Sequence, residues 1–323
     1  MKRFIRNLLI FVIIISSITA AVNYVYISRK GPDRYSINKF ALVPDMIQIC
    51  NFGTSHGMRF SYEDLENEYA CFNFALSAQS LSYDYRLFQY YGDRIVEGAV
   101  VFIPISYFTL FGRGEVSESD FLSKNTRYYP ILPASLIKNY DYKTYLLFRY
   151  LPALTANTGD LILSLLKTTM VTNEEALQKV VADEDIGESA KLAFDSHVGN
   201  RKYYDIEGNR IENQEEIDAL YALVKGCQEK GAVPILISTP YLHEYTDLIK
   251  ENTADFYDQY YSIIDRVVKD TGVEYYDYAF DERYINKPAW FNNADHLNME
   301  GGRKFVDILM REIVYAKGYY PEK

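Results

Sequence analysis

Ser55 lies between two glycines in Gly53-Thr54-Ser55-His56-Gly57, and His296 follows Asp295 near the far end of the chain. A serine hydroxyl is a weak nucleophile until a base takes its proton, and an imidazole titrating near ~6.5 suits that task near neutrality. Ser55 with His296 as its base is therefore a candidate pair for attack on an acyl carbon. The alternation in Ile47-Gln48-Ile49-Cys50 predicts a short strand running into the serine. Gly53 and Gly57 then permit a sharp turn that lifts the hydroxyl out of a sheet. By itself, Gly-x-Ser-x-Gly also fits an ordinary loop serine. His56 adjoins Ser55, but neighbouring side chains on such a turn diverge, so His56 is read as pocket wall and not as the base.

The spacing is that of the nucleophile elbow in α/β-hydrolases, a fold that needs several strands before its elbow. Here an apolar segment and a short linker precede it, which puts Ser55 on the first strand of its domain. The other end reads Asn292-Asn293-Ala294-Asp295-His296-Leu297-Asn298-Met299-Glu300-Gly301-Gly302, a loop delivering a histidine to a helix. Between them stand Asn73-Phe74-Ala75-Leu76-Ser77-Ala78 and the apolar run Val100-Val101-Phe102-Ile103-Pro104-Ile105, followed by Ser106 and Tyr107. Serine on the first strand, with acid and histidine before the last helix, resembles the SGNH (GDSL-like) hydrolases. The resemblance covers about residues 45–110 and 210–315.

That resemblance implies an α/β, three-layer, flavodoxin-like SGNH fold with a parallel sheet. It implies an oxyanion hole from the N–H groups of Ser55 and Ala78, with alanine at the family's usual glycine position. Ser106 stands where the family presents an asparagine, and is the third candidate donor. The family's acid lies three residues before the histidine, where this chain has Asn293. Asp295 is the remaining acid. In an extended loop adjacent side chains face opposite ways, so Asp295 is expected to act by charge more than by contact unless a turn intervenes. Asn293, His56 and His243 are expected pocket residues, His243 because it follows a strand at the end where open α/β sheets hold ligands.

The family also implies a function. Membrane-anchored members with this layout accept an acyl group from a membrane-bound O-acyltransferase and work on cell-envelope polymers. The leading expectation is a serine acyltransferase or esterase for O-acyl groups of a cell-envelope polysaccharide or teichoic-acid-like polymer. A tethered esterase or lipase with water as acceptor, and a scaffold whose serine site has lapsed, are the alternatives. No cofactor is expected.

The first residues, Met1-Lys2-Arg3-Phe4-Ile5-Arg6, are basic, and 7–27 then run without a charge. That is about the ~20 apolar residues that cross a bilayer as a helix. A secretory signal has an apolar region of only ~7–15 residues, so a signal anchor over 1–30 is preferred to cleavage at Thr19-Ala20-Ala21. Lys2, Arg3 and Arg6 face Arg29, Lys30 and Arg34 across the span and do not choose an orientation. The family reading puts the domain outside the cell membrane.

A formal charge of −10 leaves no basic face for nucleic acid. Cys50, Cys71 and Cys227 lack zinc-ligand spacing, so no metal site is expected and the thiols are read as core residues. The 31 tyrosines suit sugar-facing surfaces and ordinary amphipathic packing alike.

A linker over 31–44 leads into a domain over 45–323. Strands are expected near 69–74, 99–105, 233–238 and 273–277, with helices over 80–91, 213–230 (capped by Asn213), 247–269 and 302–315. The alternation breaks at about 107–205. This reads as a helical insertion over the functional edge of the sheet, closed by a hairpin turning at Gly208-Asn209 and controlling acceptor or partner binding.

Overall fold

The computed structural model describes residues 1–29, 37–112, 125–156, 158–166, 178–253 and 255–322. Residue 30 of the expected anchor, residues 31–36 of the expected linker and parts of the expected insertion (113–124, 157 and 167–177) lie outside the described residues. The chain divides into two compact units, one of Met1–Leu42 with Glu115–Asn173, the other of Val43–Gly114 with Glu174–Lys323. The stretch read as one insertion is thus shared between them.

The first unit contains α1 (Lys2–Arg29), long and apolar enough over Lys2–Ser28 to cross a membrane. Its Asn23 is buried, with the carboxamide bonded to Tyr150 O at 2.9 Å and Ala153 N at 3.1 Å. Shorter helices span Tyr142–Tyr150 and Thr158–Leu166, the former capped by the Asp141 carboxylate accepting from Thr144 N.

The second unit is α/β. In chain order it runs β1 (Ile47–Asn51), β2 (Cys71–Asn73), α2 (Leu81–Tyr91), β3 (Ile95–Pro104), α3 (Ile186–Ser196), α4 (Gln214–Glu229), β4 (Val233–Ser238), α5 (His243–Asn252), α6 (Phe256–Thr271) and β5 (Glu274–Asp277). It ends with β6 (Phe291–Asn293), β7 (His296–Leu297) and α7 (Met299–Leu309). Among the described residues one parallel sheet has the order β2-β1-β3-β4-β5. Asn51 sits opposite Phe102, and Phe102 opposite Ile235. Val100 to Ile103 are fully buried, as expected of strands covered on both faces. The chain steps outward from β1 to β2 and back across to β3, and at such a reversal an open parallel sheet forms a crevice beyond its carboxyl ends. Ser55 follows β1 there.

Most predicted elements lie where their periodicity puts them, including α4 with Asn213 as its cap. The hairpin also forms, with Ile211 N bonded to Tyr203 O and Gly208 at φ +89°. The helix expected over 247–269 is two helices. Near the break the Asn252 and Thr253 side chains bond the Leu248 and Ile249 carbonyls, and such bonds compete with the helical ladder. The last helix begins at Met299, because Asn298 Oδ1 accepts from Gly301 N at 2.9 Å. Helix α3 was not anticipated. The three cysteines are free thiols.

Candidate active site

The turn after β1 is held by buried side chains. Asn51 Nδ2 lies 3.0 Å from both Phe52 O and Gly57 O, and Tyr62 donates to Asn51 Oδ1 at 3.0 Å. Gly53 has φ +115°, and its N–H bonds the buried Asp84 carboxylate at 2.9 Å. A Cβ on Gly57 would stand 2.7 Å from Phe52 O, so the loop closes only around glycine. The chain from 52 to 57 is therefore fixed before Ser55 meets any partner.

His296 reaches Ser55 from the opposite end of the sequence. β6 and β7 pair antiparallel with Asn293 opposite His296, leaving Ala294 and Asp295 as the turn. His296 Nε2 is 2.7 Å from Ser55 Oγ, and Nδ1 is 2.9 Å from Asp295 Oδ1. The tight turn brings the adjacent Asp295 and His296 side chains together, which corrects the expectation that Asp295 acts mainly by charge. Asn293 Oδ1 bonds the His296 backbone N–H at 2.8 Å and lies 3.1 Å from Nδ1. The amide three residues before the histidine thus braces the imidazole.

Asp295 is only 2 % exposed. Burial alone would raise its pKa, but His296, His197 and His56 facing the carboxylate hold it well below the usual range. With Asp295 ionised, the proton on His296 belongs on Nδ1, and Nε2 is free to accept from Ser55.

His56 is a wall of the site, as read from the sequence, and a densely connected one. Its ring stacks on His296 at 4.3 Å and 6°, and Tyr241 packs edge-on at 5.5 Å. Burial and the neighbouring His296 lower its pKa to about 4, Asp295 opposing them, so the ring is neutral. Its Nε2 approaches Asp295 Oδ2 at 3.3 Å, where the carboxylate calls for N–H, so Nδ1 accepts from Ser106 Oγ at 2.7 Å. Thr54 is 3.0 Å from the same hydroxyl.

Ser106, the expected third oxyanion donor, is therefore engaged with His56 and Thr54 and is 1 % exposed. Ala78 lies on an exposed turn at φ +50°, tethered through Gln79, whose Nε2 reaches Gly53 O at 3.3 Å and Asp84 at 2.6 Å. His243 is a correction. It is 45 % exposed at the start of α5, facing Glu244 and Asp247, and the segment after β4 reaches the site through Tyr241 and Leu242 instead. Leu242 N supports the turn by bonding Ala294 O at 3.0 Å.

The residue missed in the sequence is His197, at the carboxyl end of α3. Its Nε2 is 3.4 Å from Asp295 Oδ2, and its ring stacks on Phe108 at 4.0 Å and 12°. α3 walls a cavity of about 410 Å³ that His197, Asn293, Asp295 and His296 also line. The buried Ile186, Ala190 and Ala193, spaced for one helix face, were the available signal for α3.

Ligand atoms of His56, Asp295 and His296 lie within 4.8 Å of one another, a donor set suited to a divalent ion. The two imidazoles are nearly parallel, however, so their in-plane lone pairs do not converge on one point. The arrangement suits a proton relay. A scan against family models found no match to this chain, and neither did a comparison with curated proteins.

Proposed function

We propose that the chain is an outward-facing serine acyltransferase or esterase of the SGNH type, acting on O-acyl groups of a cell-envelope polysaccharide or teichoic-acid-like polymer. One observation carries the chemistry, the unbroken relay from Ser55 Oγ through His296 to the buried Asp295, with links of 2.7 and 2.9 Å. The strand order 2-1-3-4-5, which is flavodoxin-like, agrees with that fold family. The apolar α1 agrees with a tethered member working beside a membrane-bound O-acyltransferase. The polymer itself rests on the family resemblance alone.

In this reading Ser55 Oγ attacks the ester carbonyl while its proton passes to His296 Nε2. Asp295 stabilises the imidazolium and keeps the ring in the tautomer that accepts from serine. The N–H groups of Ser55 and Ala78 hold the oxyanion, each such donor contributing ~2.7–4 kcal/mol. His296 returns its proton to the departing alkoxide, leaving an acyl-serine. An acceptor hydroxyl then loses its proton to His296 and takes the acyl group, and Ser55 regains its proton. A glycan hydroxyl as acceptor makes a transferase, and water makes an esterase.

Fluorophosphonate labelling of Ser55, with release of p-nitrophenol or acetate from activated esters with and without glycan acceptors, tests this. Ser55→Ala and His296→Ala should abolish turnover. Acceptor-dependent acyl transfer marks the transferase and acceptor-independent release the esterase. A folded wild-type chain that is neither labelled nor active with any acceptor would establish the lapsed-site scaffold.

A further inference from the structure

Three of the chain's four histidines converge on one carboxylate. Asp295 Oδ1 serves His296, while Oδ2 is buried and faces His56 Nε2 at 3.3 Å and His197 Nε2 at 3.4 Å. Both approaches exceed the ~2.7–2.9 Å of a charge-assisted hydrogen bond, and Oδ2 has no aligned donor in this state. A buried carboxylate oxygen left so is costly. A small movement of the more exposed His197 imidazole would satisfy it.

The two histidines differ in freedom. His56 is clamped between His296, Tyr241 and Ser106, and is 3 % exposed. His197 is 23 % exposed beside the cavity, held by the Phe108 stack and by its place at the end of α3. The same helix grips the other side of the catalytic turn, since Ser189 Oγ accepts from Ala294 N at 2.9 Å. α3 thus holds Ala294 through Ser189 and faces Asp295 through His197.

We propose that His197 is a positioning residue of the acyl-transfer site, its Nε2–H closing from 3.4 Å onto the second oxygen of Asp295 so that the first stays aligned on His296. The role rests on the enzymatic reading above. His197 acts through Asp295, which it faces at 3.4 Å, and not on the Ser55 hydroxyl, whose partner is His296. Its loss leaves the second oxygen to His56 alone, so the carboxylate is held less firmly and His296 loses part of its support as the imidazolium forms, after substrate has bound.

The test separates the N–H from the ring, on the full chain in detergent. His197→Phe keeps an aromatic ring for Phe108 and removes the donor, whereas His197→Gln gives up the ring and keeps an N–H. His197→Phe should lower kcat by about 10- to 100-fold with KM nearly unchanged and slow Ser55 labelling in step, the variant staying folded with a melting temperature only a few degrees below that of the wild type. His197→Gln should recover most of that loss. If His197→Phe does not fold, His197→Ala at this partly exposed position carries the same comparison. A folded, fully active donor-less variant overturns the role, as does a Gln variant as slow as the Phe variant. Absence of wild-type labelling overturns the enzymatic reading and this role with it, whereas an active wild type with an equally active His197→Phe overturns this role alone.

Discussion

Asp295→Asn tests the relay most directly, because it changes charge while nearly preserving shape. The carboxylate lies 2.9 Å from His296 Nδ1 and is almost sealed from water. With charge centres about 4 Å apart and an effective dielectric of ~20, its attraction for the imidazolium is about 4 kcal/mol, or roughly 10³-fold in rate. The same substitution in a serine protease triad costs ~10⁴-fold, part of it from the wrong tautomer. We therefore expect kcat to fall about 10³- to 10⁴-fold with KM little changed, read from activated-ester turnover and from the rate of Ser55 phosphonylation. Asn293→Asp alone should stay within about tenfold of wild type, because Asn293 Oδ1 already bonds the His296 backbone and an aspartate keeps that bond. In the double variant Asn293→Asp, Asp295→Asn, the acid is restored 3.1 Å from Nδ1, and part of the lost rate should return. A folded Asp295→Asn protein within tenfold of wild type, or a double variant no faster than the single one, would refute this account of the acid.

Three further outcomes are expected. In Gly302→Ala the new Cβ would stand 1.8 Å from Arg59 O, a backbone atom, so denaturant unfolding should show a loss of about 3 kcal/mol or more. His56 has a folded pKa of about 4 against an ordinary 6.5, so its contribution to stability is fully present above pH 6.5 and is lost as pH falls toward 4, by about 3 kcal/mol. Asp295 faces it, and its lowered pKa removes more stability at still lower pH; melting curves from pH 7 to 4 should flatten in His56→Gln, and an unchanged slope would contradict the assignment. Protease added to intact cells should digest the bulk of the chain, while full protection, or a mature protein beginning near Val22, would overturn the outward-facing anchor.

Short-range information in the sequence was enough for the turn around Ser55 and for most of the sheet. Alternation over 47–50 and the glycines around Ser55 encode a strand and a turn locally, as the apolar run over 99–105 encodes a buried parallel strand. Asn213 announces α4 because a cap acts within its own first turn. The contact between Ser55 and His296 spans 241 positions, and only their residue types and order pointed to it. What joins Asp295 to His296 was hidden, since adjacent residues diverge in extended chain and meet here only because Asn293 pairs with His296 across a two-residue turn. His197 was hidden as well. Its helix shows a brief stripe of Ile186, Ala190 and Ala193, but nothing near it in sequence says that its imidazole meets a carboxylate 98 residues later. His243 appeared well placed by its strand, yet the segment reaches the site through Tyr241 and Leu242. Which side chain of a loop points inward depends on backbone angles and on neighbours from other elements, and those are fixed only when the sheet, the β6–β7 pair and α3 are packed together.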